Sequence, residues 1–528
     1  MLFTSYAFLF FLACLVLVYY RIPGKYQWML LLAASFGFYA SFGPQYLIYI
    51  VITIVSTWLC GRGLDQNLQD QKRWLEENKG AGREEKKQYK AGRKAVRSRM
   101  QALCIVFNLG ILAVVKYANF FIGNLNGVLS LLGQGELSFV SIALPLGISF
   151  YTLQAIAYLE DVGRCTTEAE RDLFKVALFI SFFPQVIQGP ISRFGDLRKS
   201  LFASHPYDPQ VISFGLERIL WGFFKKLIIA DRLSPFVVGV TSDVSSYGGV
   251  YVAVTLILYT IQLYADFTGG IDITIGVAEM LGITVQENFL RPYFSTSLKE
   301  YWRRWHISMC SWFRDYVFYP VSTSRSMQNF SKFLRKRFGT KAGKRLPVYV
   351  SSFVVWFATG IWHGASWNFI VWGLLNFAIL MISEELEPAY ESFHQRWGLR
   401  ERRWYQRIMM ARTFLLVCVL NLFDCYASVG ETLGAFGSVV SVPNYGLLFS
   451  REMDTFGLGV SDFAVVLVGV IVMFAVSKAQ EKEWVRERIA RLDFWQRAFI
   501  WSGLFVVVLI FGAYGIGYDS AQFIYNRF

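Results

Sequence analysis

Residues 347–382 read PVYVSSFVVWFATGIWHGASWNFIVWGLLNFAILMI, an apolar run that turns about Gly364 and is built, apart from His363, mainly of Phe, Val, Ile, Leu and Trp. A bilayer crossing takes about 20 such residues, so the run is long enough for a hairpin of two membrane helices. The rest of the 528-residue chain has the same character: 54% of residues are hydrophobic, 17% aromatic and only 17% charged, with a mean hydropathy of +0.38. Soluble domains carry about 25% charged residues. The 48 Phe, 28 Tyr and 16 Trp exceed what a soluble core needs, whereas lipid-facing helices with aromatic belts use them freely. The chain is therefore expected to be an all-α, polytopic integral membrane protein with about ten to twelve transmembrane helices plus re-entrant ones. Little length remains for a separate soluble enzyme, so any chemistry must sit in or against the bilayer.

Outward from the hairpin, charge sets a topology. The formal charge of +14, which in a soluble chain suggests nucleic acid, is concentrated in connections and gives no reason to expect a nucleic-acid partner. Residues 61–100 hold 12 Lys/Arg against 6 Asp/Glu, residues 325–345 hold 8 basic and no acidic residues, and residues 478–497 hold six basic residues. The positive-inside bias puts these segments and the charge-dense 382–412 in the cytoplasm, and 427–458, whose only Lys/Arg is Arg451, outside. Both termini are then expected on the extracytoplasmic side. No charge precedes Arg21, so the first apolar run lacks the basic region of a secretory signal and reads as a retained helix. Four blocks result: helices in 1–60, a charged insertion in 61–100, a core in 101–383 and further helices in 384–528. Within the core, the apolar stretches 138–158, 172–187, 211–230 and 250–283 are broken by Pro145, Pro184, Pro190 and Gly269-Gly270. Such breaks are tolerated at membrane depth only where protein or a water-filled cavity satisfies the freed backbone, so a cavity is expected there.

The four histidines discriminate well. His205 beside Pro206 and His394 in 382–412 read as solvated. His363, inside the apolar hairpin, is functional by default as an ionisable group within the membrane; the competing reading is a neutral ring packed between helices. Gly360, Gly364 and Ala365 are expected to leave room for a substrate beside it. His306 lies in SLKEYWRRWHISMCSWFRDY, residues 297–316. If that segment is helical, Lys299, Arg303, His306, Cys310 and Arg314 form one polar stripe opposed by Trp302, Trp305, Met309 and Phe313. The stripe suits either a passive interfacial helix or a phosphate-bearing thioester donor, such as coenzyme A or a phosphopantetheine arm, met by a row of cations. His306 and Cys310 are four apart, but no H-E-x-x-H motif or Cys/His cluster completes a zinc shell, and no metal is expected. The seven cysteines form no C-x-x-C pair and imply no disulfide framework.

Weaker candidates remain. Asp266 and Asp272, near Gly269-Gly270, read as a proton relay or as helix caps. Gln185, Gln188 and Arg193 line a polar tunnel or satisfy a broken helix. No G-x-S-x-G elbow, Walker loop or G-x-G-x-x-G fingerprint occurs, so serine hydrolase, ATPase and Rossmann readings lack support.

Several blocks together resemble the membrane-bound O-acyltransferases, in particular the bacterial branch that modifies cell-envelope polymers. These are PLGISFYT at 145–152, Phe183-Pro184-Gln185 with Gly189-Pro190, Tyr264-Ala265-Asp266-Phe267, Glu287-Asn288-Phe289, Tyr301 to His306, and Trp362-His363-Gly364. Within that branch the chain looks most like the alginate and peptidoglycan O-acetyltransferase membrane subunits, and less like the teichoic-acid D-alanyl transfer protein. The resemblance implies a ring of helices around a thinned centre, a bacterial cytoplasmic membrane, and an acyl group, acetyl first, moved from a cytoplasmic thioester to hydroxyls of an exported polysaccharide or to a partner transferase. The donor, acetyl-CoA or the phosphopantetheine arm of an acyl carrier protein, is a co-substrate, and no bound cofactor is implied. The family's invariant histidine falls on His363 and its second, variable position on His306. His363 is then the general base, and His306 orients the donor or stabilises the developing oxyanion. Lys299, Arg303, Arg314 and Cys310 would meet the donor, while Gln185, Gln188, Asp266, Trp305 and Trp362 would line the tunnel. The 61–100 insertion docks a cytoplasmic carrier or is a solvated helix pair. Competing readings are D-alanyl transfer to teichoic acid, a transporter or flippase of an envelope polymer or lipid, and a non-catalytic assembly subunit.

Overall fold

The computed structural model describes residues 1–243, 245–450 and 458–514. Arg451, the lone cation expected in 427–458, and the C-terminus expected outside lie beyond the described residues. Helices account for the regular structure and no strand occurs among the described residues. Among the described residues, eight helices are long and apolar enough to cross a membrane: Pro44–Glu77, Arg83–Leu131, Val250–Met280, Arg325–His363, Trp367–Trp397, Arg403–Asp424, Val460–Ala479 and Phe494–Phe511. The ten to twelve expected differ where apolar runs are cut short. Tyr6–Tyr19, Gln27–Ala40, Ile148–Gly163, Leu173–Ser181 and Pro209–Phe223 have 14, 14, 16, 9 and 15 residues. At about 1.5 Å per residue none reaches across a hydrocarbon core of about 30 Å by itself.

The chain forms two compact units, Met1–Ser213 with Val277–Gln286, and Phe214–Gly276 with Glu287–Phe528. In the first, Phe3, Phe8, Phe38 and Phe183 form an aromatic cluster with centroid separations of 4.9 to 6.5 Å. The expected break at Pro184 is present. Phe182 leaves helical geometry and Pro184 starts the short Phe183–Val186 helix, where its missing N–H would have had no partner anyway. The 61–100 segment is helical nearly throughout. The Leu47–Glu77 helix runs on past its apolar part, turns, and returns as Arg83–Leu131. Trp74 stacks on Tyr89 at 4.0 Å, and Arg97 donates to Asn67 and Gln71. The charged segments 325–345 and 382–412 are likewise mostly helix, interrupted by a non-helical Gly339 and by residues 398–402. Lys, Arg, Glu and Gln are good helix formers, so a dense charge run continues a membrane helix into water as readily as it ends one.

In the second unit the hairpin about Gly364 forms as expected: Arg325–His363 ends at the histidine, and Trp367–Trp397 begins behind a Ser366 cap. The expected break at Gly269-Gly270 does not occur, because Val250–Met280 runs through it unbroken. A Cβ on Gly269 would lie 2.9 Å from the carbonyl oxygen of Gly222, so this glycine serves close contact between two helices instead of a bend. The neighbouring strand of sequence bends differently: Pro209–Phe223 passes into a π-helical turn, Phe224–Ala230, before Asp231–Ser242.

Candidate active site

The segment expected to carry the polar stripe is not one helix. Leu298–Arg304 is capped by Ser297, whose side chain accepts from Glu300 N–H, and Glu300 in turn accepts from Thr296 N–H and Oγ1, a reciprocal cap. It stops at Trp305, which is extended, and His306 takes a left-handed conformation with φ 45° and ψ 52°. Ile307–Phe313 then starts a new direction and passes into a π-helical turn at Arg314–Phe318. A left-handed backbone at a residue with a Cβ costs on the order of 1 to 3 kcal/mol and persists only where surroundings impose it. Here residues 288–290 impose it, with Ile307 N–H bonded to Asn288 O at 3.0 Å, Ser308 N–H to Asn288 Oδ1 at 2.9 Å, and Leu290 N–H to Arg304 O at 2.9 Å.

The stripe is broken by this turn. Lys299, Arg303 and Arg314 are exposed, Cys310 is half-buried with its Sγ 3.5 Å from the Trp305 carbonyl, and His306 is only 1% exposed. Lys299 pairs with Glu384 at 3.0 Å and Arg314 with Asp315 at 2.9 Å. The row of cations flanking a histidine is therefore corrected to a buried histidine with cations at the surface, two of them already paired.

His306 and His363 do come together, through Trp362. The His306 and Trp362 ring centroids are 5.9 Å apart, and those of Trp362 and His363 are 5.1 Å apart. Around them stand Phe267 (4.9 Å) and Phe289 (6.4 Å) against His306, and Trp372 (4.6 Å) and Phe369 (6.1 Å) against His363. Trp305 is buried behind, 5.0 Å from Phe289. Trp302 ties the first short helix to the hairpin by donating to Asn376 Oδ1 at 3.0 Å. The result is an aromatic cluster that holds the two imidazoles.

Room beside His363 does not come from the glycines. A Cβ on Gly360 would lie 2.6 Å from Phe369 O, one on Gly373 2.5 Å from Trp356 O, and one on Gly364 2.4 Å from the Phe369 ring. These glycines let the two hairpin helices touch, which fixes His363 at the turn. The expectation that they leave space for a substrate is thus corrected.

The sequence did not point to Asn288 as a partner of His306. Its Oδ1 accepts from Ser308 N–H, lies 3.3 Å from His306 Nδ1, and its side chain is fully buried. An amide oxygen only accepts, so a neutral His306 carries its proton on Nδ1 and its lone pair on Nε2. The one available signal was the position of Asn288 in the Glu287-Asn288-Phe289 block.

Asp266 is neither a helix cap nor a free relay. It lies mid-helix in an ion pair with Lys226, which also meets Asp231 at 2.7 Å. Asp272 bonds Arg218 and Lys225, and Arg218 also reaches Glu287 at 2.6 Å. In the first unit, Gln185 donates to Ser192 Oγ and to Pro190 O, satisfying the broken helix. Gln188 is 0% exposed, and its amide has no protein partner among the described residues. His205 and His394 are half-buried rather than solvated, bonded to Ser200 O at 2.7 Å and to Tyr405 OH at 2.9 Å.

Residues 166–421 match the model of MBOAT, the membrane-bound O-acyltransferase family. The chain is 33% identical over 392 residues to "Probable alginate O-acetylase AlgI" of Azotobacter vinelandii, covering 73% of this chain and 69% of that protein. It is 27% identical over 412 residues to the peptidoglycan O-acetyltransferase of Helicobacter pylori, with 73% and 69% covered. It is also 27% identical over 282 residues to the teichoic acid D-alanyltransferase of Bacillus subtilis, with 52% and 66% covered. An all-helical membrane chain with this motif set and these relatives is an acyltransferase, and it belongs to the membrane-bound O-acyltransferase family.

Proposed function

We propose that the protein moves an acetyl group from a thioester made in the cytoplasm to hydroxyls of a cell-envelope polysaccharide, directly or through a partner transferase. The observation that carries this reading is the meeting of His306 and His363 on Trp362 within one aromatic cluster. His363 is the general base. It takes the proton of the acceptor hydroxyl as the oxygen attacks the thioester carbonyl, and the thiolate leaves with the donor. His306, with Nδ1 held by Asn288, offers Nε2 as an acceptor and so orients a hydroxyl or donor N–H. A neutral ring in that tautomer does not donate to an oxyanion from Nε2, so orientation is the role retained for His306.

For the donor, acetyl-CoA or the phosphopantetheine arm of a carrier protein, Arg303 is the cation assigned to the phosphate. It is exposed and makes no ion pair among the described residues, whereas Lys299 and Arg314 are paired. We place the protein in the bacterial cytoplasmic membrane with 61–100, 325–345, 382–412 and 478–497 inside, on the charge bias of those segments. The charged helical arm in 61–100 suits the docking of a cytoplasmic carrier. The test is mass spectrometry of envelope polysaccharide from a strain lacking the gene, complemented with wild type or with His363→Ala. Loss of acetyl esters that only wild type restores supports the reading. Unchanged acetylation in the deletion strain, or restoration by His363→Ala, defeats it.

A further inference from the structure

The second unit also holds a cleft of about 890 Å³ that none of the proposed catalytic residues lines. One wall is the Val460–Ala479 helix and the residues just after it, which face the cleft from Ala464 to Gln480, a run of about 24 Å at the helical rise. Ile500, Leu504, Val507 and Phe511 supply a second apolar stripe from the Phe494–Phe511 helix. The third wall begins at Arg218 and runs through Phe224 to Ile228. Polar groups gather at one end. Arg218 bonds Asp272 and Glu287 there, Lys225 bonds Asp272, and the Arg218 guanidinium lies 5.9 Å over the Trp484 ring.

At that end the lining cations Arg218, Lys225, Arg291 and Arg486 outnumber the carboxylates Glu217, Asp272 and Glu287 by one. Asp272 and Glu287 already serve Arg218 and Lys225, Arg291 reaches the exposed Glu481 only at 3.6 Å, and Arg486 donates to the Phe214 carbonyl at 3.5 Å and lies 5.4 Å over the Phe214 ring, so the end keeps its excess of one positive charge whatever its internal pairing. We propose that the cleft binds a membrane lipid with a phosphate-bearing head group, the head against Arg291 and Arg486 and a hydrocarbon chain along the 460–479 helix. One leaflet's chains span about 15 Å, half of a core of about 30 Å, so the apolar length suffices. Basic side chains beside an apolar slot attract anionic heads, and the lining tryptophans Trp484 and Trp501 are of the type enriched at membrane interfaces. Tyr264 and Phe289 line this cleft and also lie 6.1 and 5.0 Å from Trp305. A lipid there rests one aromatic layer from His306 without reaching it.

Native mass spectrometry of the full-length protein tests the proposal, with phosphatidylglycerol, diacylglycerol and inorganic phosphate as separate probes. Phosphatidylglycerol is expected to bind. Val472→Trp, which fills the slot, and the double change Arg291→Gln with Arg486→Gln each weaken it about tenfold, roughly the effect of losing two buried methylenes or one to two basic contacts. Leu467→Trp, exposed and away from the lining, leaves it unchanged. Equal binding in all variants overturns the proposal. So does diacylglycerol binding as tightly, which leaves no head-group recognition, or free phosphate displacing the lipid regardless of Val472→Trp, which leaves a bare anion site. If Val472→Trp does not insert, Val468→Trp on the same wall carries the test.

Discussion

Lys226 and His306 are both buried among apolar helices of the same unit, at 0% and 1% exposure, yet their surroundings are built on opposite plans. Lys226 meets two carboxylates, Asp231 and Asp266, and close by Arg218 and Lys225 share Asp272 and Glu287. His306 meets an amide oxygen and a ring of aromatic faces. The first arrangement cancels charge within the protein and leaves little for a substrate to do. The second holds an imidazole by one amide contact and aromatic packing. Polar residues at membrane depth therefore fall into two kinds, and partner chemistry tells them apart where sequence position does not.

The sharpest test of this contrast is His363→Ala, which should leave the protein inserted while acyl transfer falls by about a hundredfold to ten-thousandfold. A rate within threefold of wild type would remove His363 from the chemistry. His306→Asn should keep measurable activity where His363→Asn does not, because an amide oxygen can still orient a partner but cannot hold a proton. Equal loss in both Asn variants would merge the two histidines into one proton-transfer unit.

Lys226→Met addresses the other plan. Removing one partner of a buried pair typically costs about 3 to 5 kcal/mol, whereas replacing all partners by neutral groups costs far less. The single variant should melt well below wild type in detergent, and adding Asp231→Asn and Asp266→Asn should recover most of the loss. Recovery of melting temperature without recovery of transfer would give the cluster a role in turnover as well.

Two surface cations close the series. Arg303→Gln should raise the donor KM about tenfold, the worth of one charge-assisted hydrogen bond, with kcat nearly unchanged. Lys299→Gln should change donor KM by less than about twofold, since its exposed pair with Glu384 is of the kind worth roughly 0 to 1 kcal/mol. The reverse order in steady-state kinetics would return the donor contact to Lys299.

Much of this was legible in the sequence, and unevenly so. Apolar runs and the turn at Gly364 gave the membrane class and the position of His363, because a hydrophobic stretch and its interruption are local properties. The break at Pro184 was readable for the same reason. The turn at His306 was not, since positions 299, 303, 306, 310 and 314 have the spacing of a helix and only the strap at 288–290 overrides it. Gly269-Gly270 misled because glycine permits both a bend and a close crossing, and the choice depends on Gly222 from another helix. The charged segments 325–345 and 382–412 misled too, since they were read as connections where they continue helices, whereas the helix pair weighed for 61–100 is what forms. Asp266 was noticed without Lys226, because pairing forty residues apart leaves no periodic trace.

One of those helical continuations has a practical side. The arm formed by residues 61–77 and 83–100, with its indole and phenol stacked at 4.0 Å near the tip, runs about 24 Å from Gly61 to Glu77 at the helical rise, its first turns packed through the buried Leu64 and Asn67. Its apex, residues 78–82, is a short turn of mostly exposed residues, the sort of place where insertions are tolerated. A small folded reporter placed there would ride on a stiff handle, giving single-particle imaging an alignment mark on a protein otherwise hidden in its micelle. The same reporter, reached by antibody in intact or opened cells, would declare which side of the membrane the arm occupies.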